Sequence, residues 1–200
     1  GMGPSIGAAI RNHKMIILEY DNEGYMNTGN QLSFSTPLGH RTSTSNVGKA
    51  EVGKQFGHKD VAQIFNGCHI PYIATGCEAY PLDLVKKAAK AQWYANNVGT
   101  AFVKLLITCP LNWKTPDDMG KDIIKAAVDC CFFPLYEVEQ GVTTITQMVA
   151  DDKKQPVTEW LKLMGKTKHL LKHQDILDRF QAEVDRRWAR IKAMHESPVL

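Results

Sequence analysis

Between Asp21 and Gly29 the chain concentrates side-chain oxygens and amides, from Asp21, Asn22, Glu23, Asn27 and Thr28, with Gly24 and Gly29 among them. Such oxygens are hard donors, and a magnesium ion takes them in an octahedral set commonly shared with a phosphate and water. The amide oxygen of Asn22 and the backbone carbonyl of Gly24 are two donors of this kind. The same residues also suit an Asx turn, in which Asp or Asn bonds its own backbone, and spacing leaves the two readings open. The glycines let the backbone turn tightly or approach a ligand closely.

The residues just upstream must position this loop. Met15-Ile16-Ile17-Leu18-Glu19-Tyr20 is an apolar run with branched side chains, which predicts a strand buried on both faces and ending near Asp21. In open parallel sheets, ligands sit beyond the carboxyl ends of the strands, so the loop lies where a ligand is expected. Further strands are predicted over 71–75 and 100–108, with a helix over 81–94 between them that opens on Pro81, the rhythm of an α/β sheet. An amphipathic helix over 60–68 is expected to turn Val61, Ile64 and Phe65 inward. Helices over 117–130, 156–163 and 174–194 follow from 3.6-residue spacing, and a hairpin is predicted around Gln140-Gly141. From 31 to 59 the chain is rich in Ser, Thr, Gly and His. It reads as a long loop with a basic end, Lys49, Lys54, His58 and Lys59, of a length that is more often functional than idle.

Composition removes several classes. At 200 residues the chain can bury one substantial core. A net charge of +3, with bases and acids interspersed, leaves no nucleic-acid footprint. No apolar run approaches the roughly 20 residues of a membrane span, and the first residues lack a signal-peptide pattern, so a cytoplasmic location is the default. The five cysteines, Cys68, Cys77, Cys109, Cys130 and Cys131, are odd in number and irregular in spacing, unlike a disulfide framework. Cys130 and Cys131 sit in an apolar helical context and read as packing residues. No Cys-x-x-Cys pair is present, so the chain alone cannot hold an iron-sulfur cluster. Ser-His-Asp order, a P-loop and zinc spacing are also lacking.

The block Asp21-Asn22-Glu23-Gly24-Tyr25-Met26-Asn27-Thr28-Gly29, followed by Thr36-Pro37 and Thr42-Ser43-Thr44-Ser45, resembles the thiamine-diphosphate-binding β subunits of the 2-oxoacid:ferredoxin oxidoreductases, the pyruvate type above all. Tyr72-Ile73-Ala74-Thr75, Thr108-Cys109-Pro110, Phe133-Pro134-Leu135-Tyr136-Glu137 and Pro156-Val157-Thr158-Glu159-Trp160 extend the likeness over essentially the whole chain. The resemblance implies an α/β fold: an incomplete parallel sheet of the thiamine-diphosphate-binding type, with helices on both faces and a helical carboxyl-terminal extension. Residues 1–150 would be the partial cofactor domain and 151–200 the extension. In the family a Gly-Asp-Gly motif with a magnesium-binding aspartate precedes this region, and the chain resembles the carboxyl-terminal portion of a subunit.

The resemblance further implies that Asp21, Asn22, Gly24, Tyr25, Asn27 and Thr28 contact thiamine diphosphate, with Mg²⁺ on Asn22 and the Gly24 carbonyl. Asn27 is the implied catalytic residue, facing cofactor and substrate. Cys109, which otherwise reads as a small packing residue, would be a single ligand to a 4Fe-4S cluster held mostly by residues outside this chain. The implied reaction is oxidative decarboxylation of a small 2-oxoacid to acyl-coenzyme A, with electrons passed to ferredoxin. The glutamate that activates the aminopyrimidine comes from elsewhere in that family, so an α-type subunit and further subunits are expected partners, and the isolated chain is expected to be inactive. The alternatives are a non-catalytic fragment that keeps the fold and a subunit interface, or a related oxoacid enzyme acting on oxalate or phenylglyoxylate.

Overall fold

In the computed structural model, residues 1–197 are described. The last three residues of the expected extension lie outside them. Three parallel strands, β1 (Ile16–Asp21), β2 (Tyr72–Cys77) and β3 (Ala101–Leu106), assemble with β3 in the middle. A hairpin of β4 (Tyr136–Glu139) and β5 (Val142–Ile145) joins antiparallel to β2, giving the order β1-β3-β2-β4-β5. The sheet is therefore mixed rather than wholly parallel. The hairpin turns on Gln140 and Gly141, both at positive φ, the backbone shape that a tight two-residue hairpin requires.

Register aligns the sheet for function. Asp21 and Cys77 both lie opposite Leu106, so the three parallel strands finish level and release their following loops at one edge. Strands β2 and β3 are buried almost throughout. Strand β1 is not, contrary to the expectation from its apolar run, because it is an edge strand. Helix α3 (Pro81–Asn97) covers Tyr72, Ala74, Ala101 and Val103, whereas Ile16, Leu18 and Tyr20 of β1 remain exposed on that face. Pro81 does open α3, at the position where its missing N–H costs nothing.

Helices also cover the opposite face. Phe65 of α2 (Val61–Asn66) stacks on Phe102 of β3 at 4.2 Å. Asp60 caps α2 by accepting from the Gln63 amide, and the buried positions are Val61, Ala62 and Phe65. Ile64, expected inward, points outward, because one and a half turns cannot bring 61, 62, 64 and 65 all to the sheet. Helix α1 (Met2–Ile10) buries Ala9, and α4 (Pro110–Trp113) is a single turn holding the buried Trp113. Helix α5 (Gly120–Asp129) packs on α6 (Val157–Leu161), and α7 (Gln174–Glu196) packs on α6 and β5. Ile176, Leu177, Phe180, Val184, Trp188 and Ile191 form the buried stripe of α7, as its spacing predicts. Phe132 joins these layers, stacking on Trp160 at 4.2 Å and meeting Phe180 edge-on at 5.7 Å.

The 31–59 stretch has no regular element but is wound against the core. Lys54 is buried and donates to the carbonyls of Thr36 and Phe34. The His58 side chain is buried too, with Nδ1 3.1 Å from Glu183. Cys130 and Cys131 are buried, and burial pushes each thiol up to about 12. No helix among the described residues is long and apolar enough to cross a membrane.

Candidate functional site

Asp21, the last residue of β1, is turned into the protein. Its Oδ2 is 2.7 Å from Lys104 Nζ of β3, and its Oδ1 accepts from the Glu23 amide at 2.9 Å. This is an Asx turn, so the carboxylate braces the loop and is already occupied. The adjacent oxygens are not: among the described residues, neither the Asn22 amide nor the Gly24 carbonyl takes part in a hydrogen bond. The Asx-turn reading thus holds at Asp21.

Glu23 has a φ of +70°, a left-handed conformation that costs a non-glycine residue about 1–3 kcal/mol unless its surroundings hold it. Here they do. The carboxylate, 2% exposed as a residue, pairs through Oε2 with Lys166 Nζ and lies 3.3 Å from His40 Nδ1. Its backbone carbonyl accepts from Thr36 Oγ1 at 2.6 Å, and the neighbouring Asn22 carbonyl accepts from Trp113 Nε1 at 3.1 Å. Lys166 Nζ also sits 4.3 Å above the Trp113 ring. Burial alone raises the Glu23 carboxyl, but Lys166 and His40 override it and hold it down at about 2. Burial, aided by the Lys166 charge and against the pull of Glu23, lowers the His40 imidazole to about 4. At neutral pH Glu23 is a carboxylate and His40 a neutral imidazole, while burial lowers Lys166 against the pull of Glu23.

Beyond Gly24 the chain closes on itself. Tyr25 and Gln31 exchange backbone hydrogen bonds of 3.0 and 3.1 Å, and Gly29 supplies the turn with a φ of +113°. Thr28 Oγ1 donates to the Gln31 side chain, so this hydroxyl serves the loop, while Tyr25 and Asn27 are exposed. Cys109 stands where the chain leaves β3 and enters α4, half-buried. Asn27 and Cys109 line one open cavity of about 430 Å³, together with Met26, Asn30, Leu111 and Asn112. Leu111 on its rim is 92% exposed.

The structure therefore brings Asn27 and Cys109 together, whereas Asn22 and Gly24 lie on the turn that precedes Asn27 in the chain. Asp21, Asn22, Gly24, Tyr25 and Thr28 do not line this cavity. Asn22 and Gly24 offer two neutral oxygens without a hydrogen-bond partner among the described residues, and Cys109 offers one thiol. Among the described residues, no group of three or more His, Cys, Asp or Glu side chains is suited to hold a metal alone. Glu23, His40, Lys166 and Trp113 carry no sequence signal for their roles. They come from four separate segments, none of which repeats or pairs with another in the sequence.

The chain matches the family described as "Thiamine pyrophosphate enzyme, C-terminal TPP binding domain" over residues 2–105. It is 40% identical over 199 residues to pyruvate synthase subunit PorB of Thermotoga maritima, covering 98% of this chain and 60% of that protein. The corresponding subunit of Pyrococcus furiosus is 37% identical, with 94% and 61% covered. Ketoisovalerate oxidoreductase subunit VorB of Pyrococcus horikoshii is 36% identical, with 98% and 61% covered. A solved 2-oxoglutarate:ferredoxin oxidoreductase from Magnetococcus marinus is similar over 55% of this chain and 35% of its own, with 20% identity and a TM-score of 0.47. The chain thus spans about three fifths of the length of the curated relatives it matches. By the match over its first half, the chain belongs to the thiamine pyrophosphate enzymes, in the family of their carboxyl-terminal TPP-binding domain.

Proposed function

We propose that this chain is the cofactor-facing portion of the β subunit of a pyruvate-type 2-oxoacid:ferredoxin oxidoreductase, which decarboxylates a 2-oxoacid oxidatively, forms acyl-coenzyme A and passes electrons to ferredoxin. The observation that carries this reading is the shared cavity of Asn27 and Cys109 beyond the level ends of the three parallel strands. Thiamine diphosphate, when bound, supplies the electron sink that decarboxylation needs. The residues of this chain position it. Asn22 and the Gly24 carbonyl would hold Mg²⁺ through two neutral oxygens, and the metal would bind the cofactor's diphosphate charge. The Asn27 amide donates to the substrate oxygen on which negative charge develops, a preorganised donor for the transition state. Tyr25 and Thr28 shape the loop next to the cofactor, and Asp21 and Glu23 hold it from beneath. Cys109 would give a 4Fe-4S cluster one thiolate.

An α-type subunit and further subunits complete the enzyme and supply the catalytic glutamate, and the other cluster thiolates come from residues outside this chain. Residues 1–150 are read as the partial cofactor domain and 151–200 as its extension, packed on it through α6 on α5 and α7 on β5. Unpaired cysteines among the described residues accord with a reducing cytoplasm. The likeness to VorB favours one second reading, a branched 2-oxoacid as substrate.

Calorimetric titration of the chain with thiamine diphosphate and Mg²⁺ tests the assignment. Asn22→Ala and Asn27→Ala are each expected to weaken binding by about tenfold, the worth of one lost polar contact to a charged group. Binding that ignores both substitutions, in variants with unchanged circular dichroism, would refute the site.

A further inference from the structure

Trp113 stands between the two halves of the proposed site, the Asn22 turn and Cys109. It closes α4, the single turn that Cys109 opens, and its amide donates to the Cys109 carbonyl at 2.8 Å. Indole and thiol are thus carried on one hydrogen-bonded turn of backbone. In the other direction Trp113 Nε1 donates to the Asn22 carbonyl at 3.1 Å, across 91 residues of chain. That bond is selective. Trp160 and Trp188 are buried as well, yet their Nε1 atoms have no hydrogen-bond partner among the described residues. Those two indoles serve packing, whereas Trp113 also directs its N–H at the loop that begins the site.

The ring is held on its face and through its backbone too. Lys166 Nζ lies 4.3 Å above the indole and pairs with Glu23, the residue after Asn22. The Lys166 amide donates to the Trp113 carbonyl at 3.3 Å, and a Cβ at Gly165 would come within 2.7 Å of Lys114 Cβ, so the segment carrying Lys166 runs directly against the end of α4. The Asn22 turn is gripped accordingly: the Asn22 carbonyl by Trp113, the Glu23 carbonyl by Thr36 and the Glu23 carboxylate by Lys166. Trp113 is 0% exposed, and a close-packed ring has no slack. A tilt of the indole must therefore move the Asn22 carbonyl or break the bond to it.

We propose that Trp113 is a positioning residue that couples the two half-sites. Its backbone follows Cys109, its indole N–H sets the Asn22 carbonyl, and a change at either end is transmitted to the other. Coupling of this kind is reciprocal. Filling the Asn22 turn alters the reactivity of Cys109, and modifying Cys109 alters the Asn22 turn. Only the identity of the ligand at the turn rests on the thiamine reading; the linkage is a property of this chain.

The test has two arms, both on the full chain. In the first, without cofactor and in a Cys68→Ser background, Cys109 is alkylated with iodoacetamide and hydrogen exchange is followed by mass spectrometry in peptides spanning 21–25. Exchange there is expected to change about fivefold in the parent and to stay constant in Trp113→Phe, which keeps a ring beneath Lys166 but removes the N–H. Trp160→Phe, a second indole-to-phenyl change in the core, is expected to respond as the parent does. In the second arm, with Cys68 retained as an internal reference, saturating thiamine diphosphate and Mg²⁺ are expected to change the alkylation rate of Cys109 about fivefold in the parent and not in Trp113→Phe. Asn22→Ala keeps the backbone carbonyl, so it should retain the first response while losing cofactor affinity. A parent that responds in the first arm but binds no thiamine diphosphate would remove the thiamine reading and leave the linkage standing. Unchanged exchange in the alkylated parent, equal loss of the response in Trp160→Phe, or a cofactor effect on Cys109 that persists in Trp113→Phe would overturn the proposal. If Trp113→Phe does not fold, 3-benzothienylalanine at position 113, which replaces the N–H with sulfur and keeps the shape, takes its place.

Discussion

Glu23 is a buried carboxylate in a left-handed conformation, and both features are unfavourable unless something external enforces them. Lys166 is that enforcement, and removing it leaves a charge with no comparable partner. Lys166→Met is therefore expected to destabilise the chain by about 3–5 kcal/mol in urea unfolding. Adding Glu23→Gln should recover part of the loss, because a neutral amide no longer requires a cation. A Lys166→Met cost no larger than that of a surface substitution would sink this account. At this scale the sequence exposes residue types but not distant partners. Asn22 stands out by the chemistry of its side chain and its neighbours, whereas Asn27 and Cys109 stand out through the family resemblance. The bond from Lys166 to Glu23 spans 143 residues, and no local pattern announces it.

Elements fix where those residues stand, and the 31–59 loop is the element that behaves least like its composition. It folds around Lys54, whose backbone exchanges hydrogen bonds with the 39–40 segment: Gly39 N to the Lys54 carbonyl at 2.7 Å, Lys54 N to the His40 carbonyl at 3.1 Å. Gly53, at a φ of +69°, makes this crossing possible, since a Cβ there would stand 2.1 Å from the Gly39 carbonyl oxygen. Gly53→Ala is expected to cost about 2 kcal/mol or more and to speed proteolysis within the loop, as backbone strain and a clash combine. Thermal unfolding and cleavage rates indistinguishable from the parent would show that the crossing yields cheaply. The elements that periodicity predicts correctly, α3, the hairpin and α7, are those whose signal is local. The half-exposure of β1 and the burial of Lys54 depend on which neighbour lies alongside, and apolar runs or basic clusters do not encode that.

Across the whole molecule the site sits where the sheet edge, the loop and the carboxyl-terminal strap meet, so its integrity and the stability of the fold share one set of buried groups. Burial holds His40 at about 4, and it also lowers His58 and His169, each with help from nearby positive charges. All three are neutral in the fold near pH 7, whereas an unfolded histidine titrates near 6.5. Between about pH 6.5 and 4 the unfolded chain binds more protons than the folded one, so stability must fall as pH falls through this window. Glu23 has the same sign at lower pH: its contribution is complete above the unfolded carboxylate value and is lost as pH drops toward 2. Acid should therefore act in two stages, histidines first and Glu23 after. Melting temperatures measured from pH 7 to pH 4 are expected to decline, and His40→Asn should flatten that decline even if its melting temperature at pH 7 is lower. Because His40 and Lys166 brace the Asn22 turn through Glu23, thiamine diphosphate affinity is expected to weaken over the same range. A flat stability profile down to pH 4, or a His40→Asn profile with the parent's slope, would mean that these imidazoles take up protons without disturbing the fold.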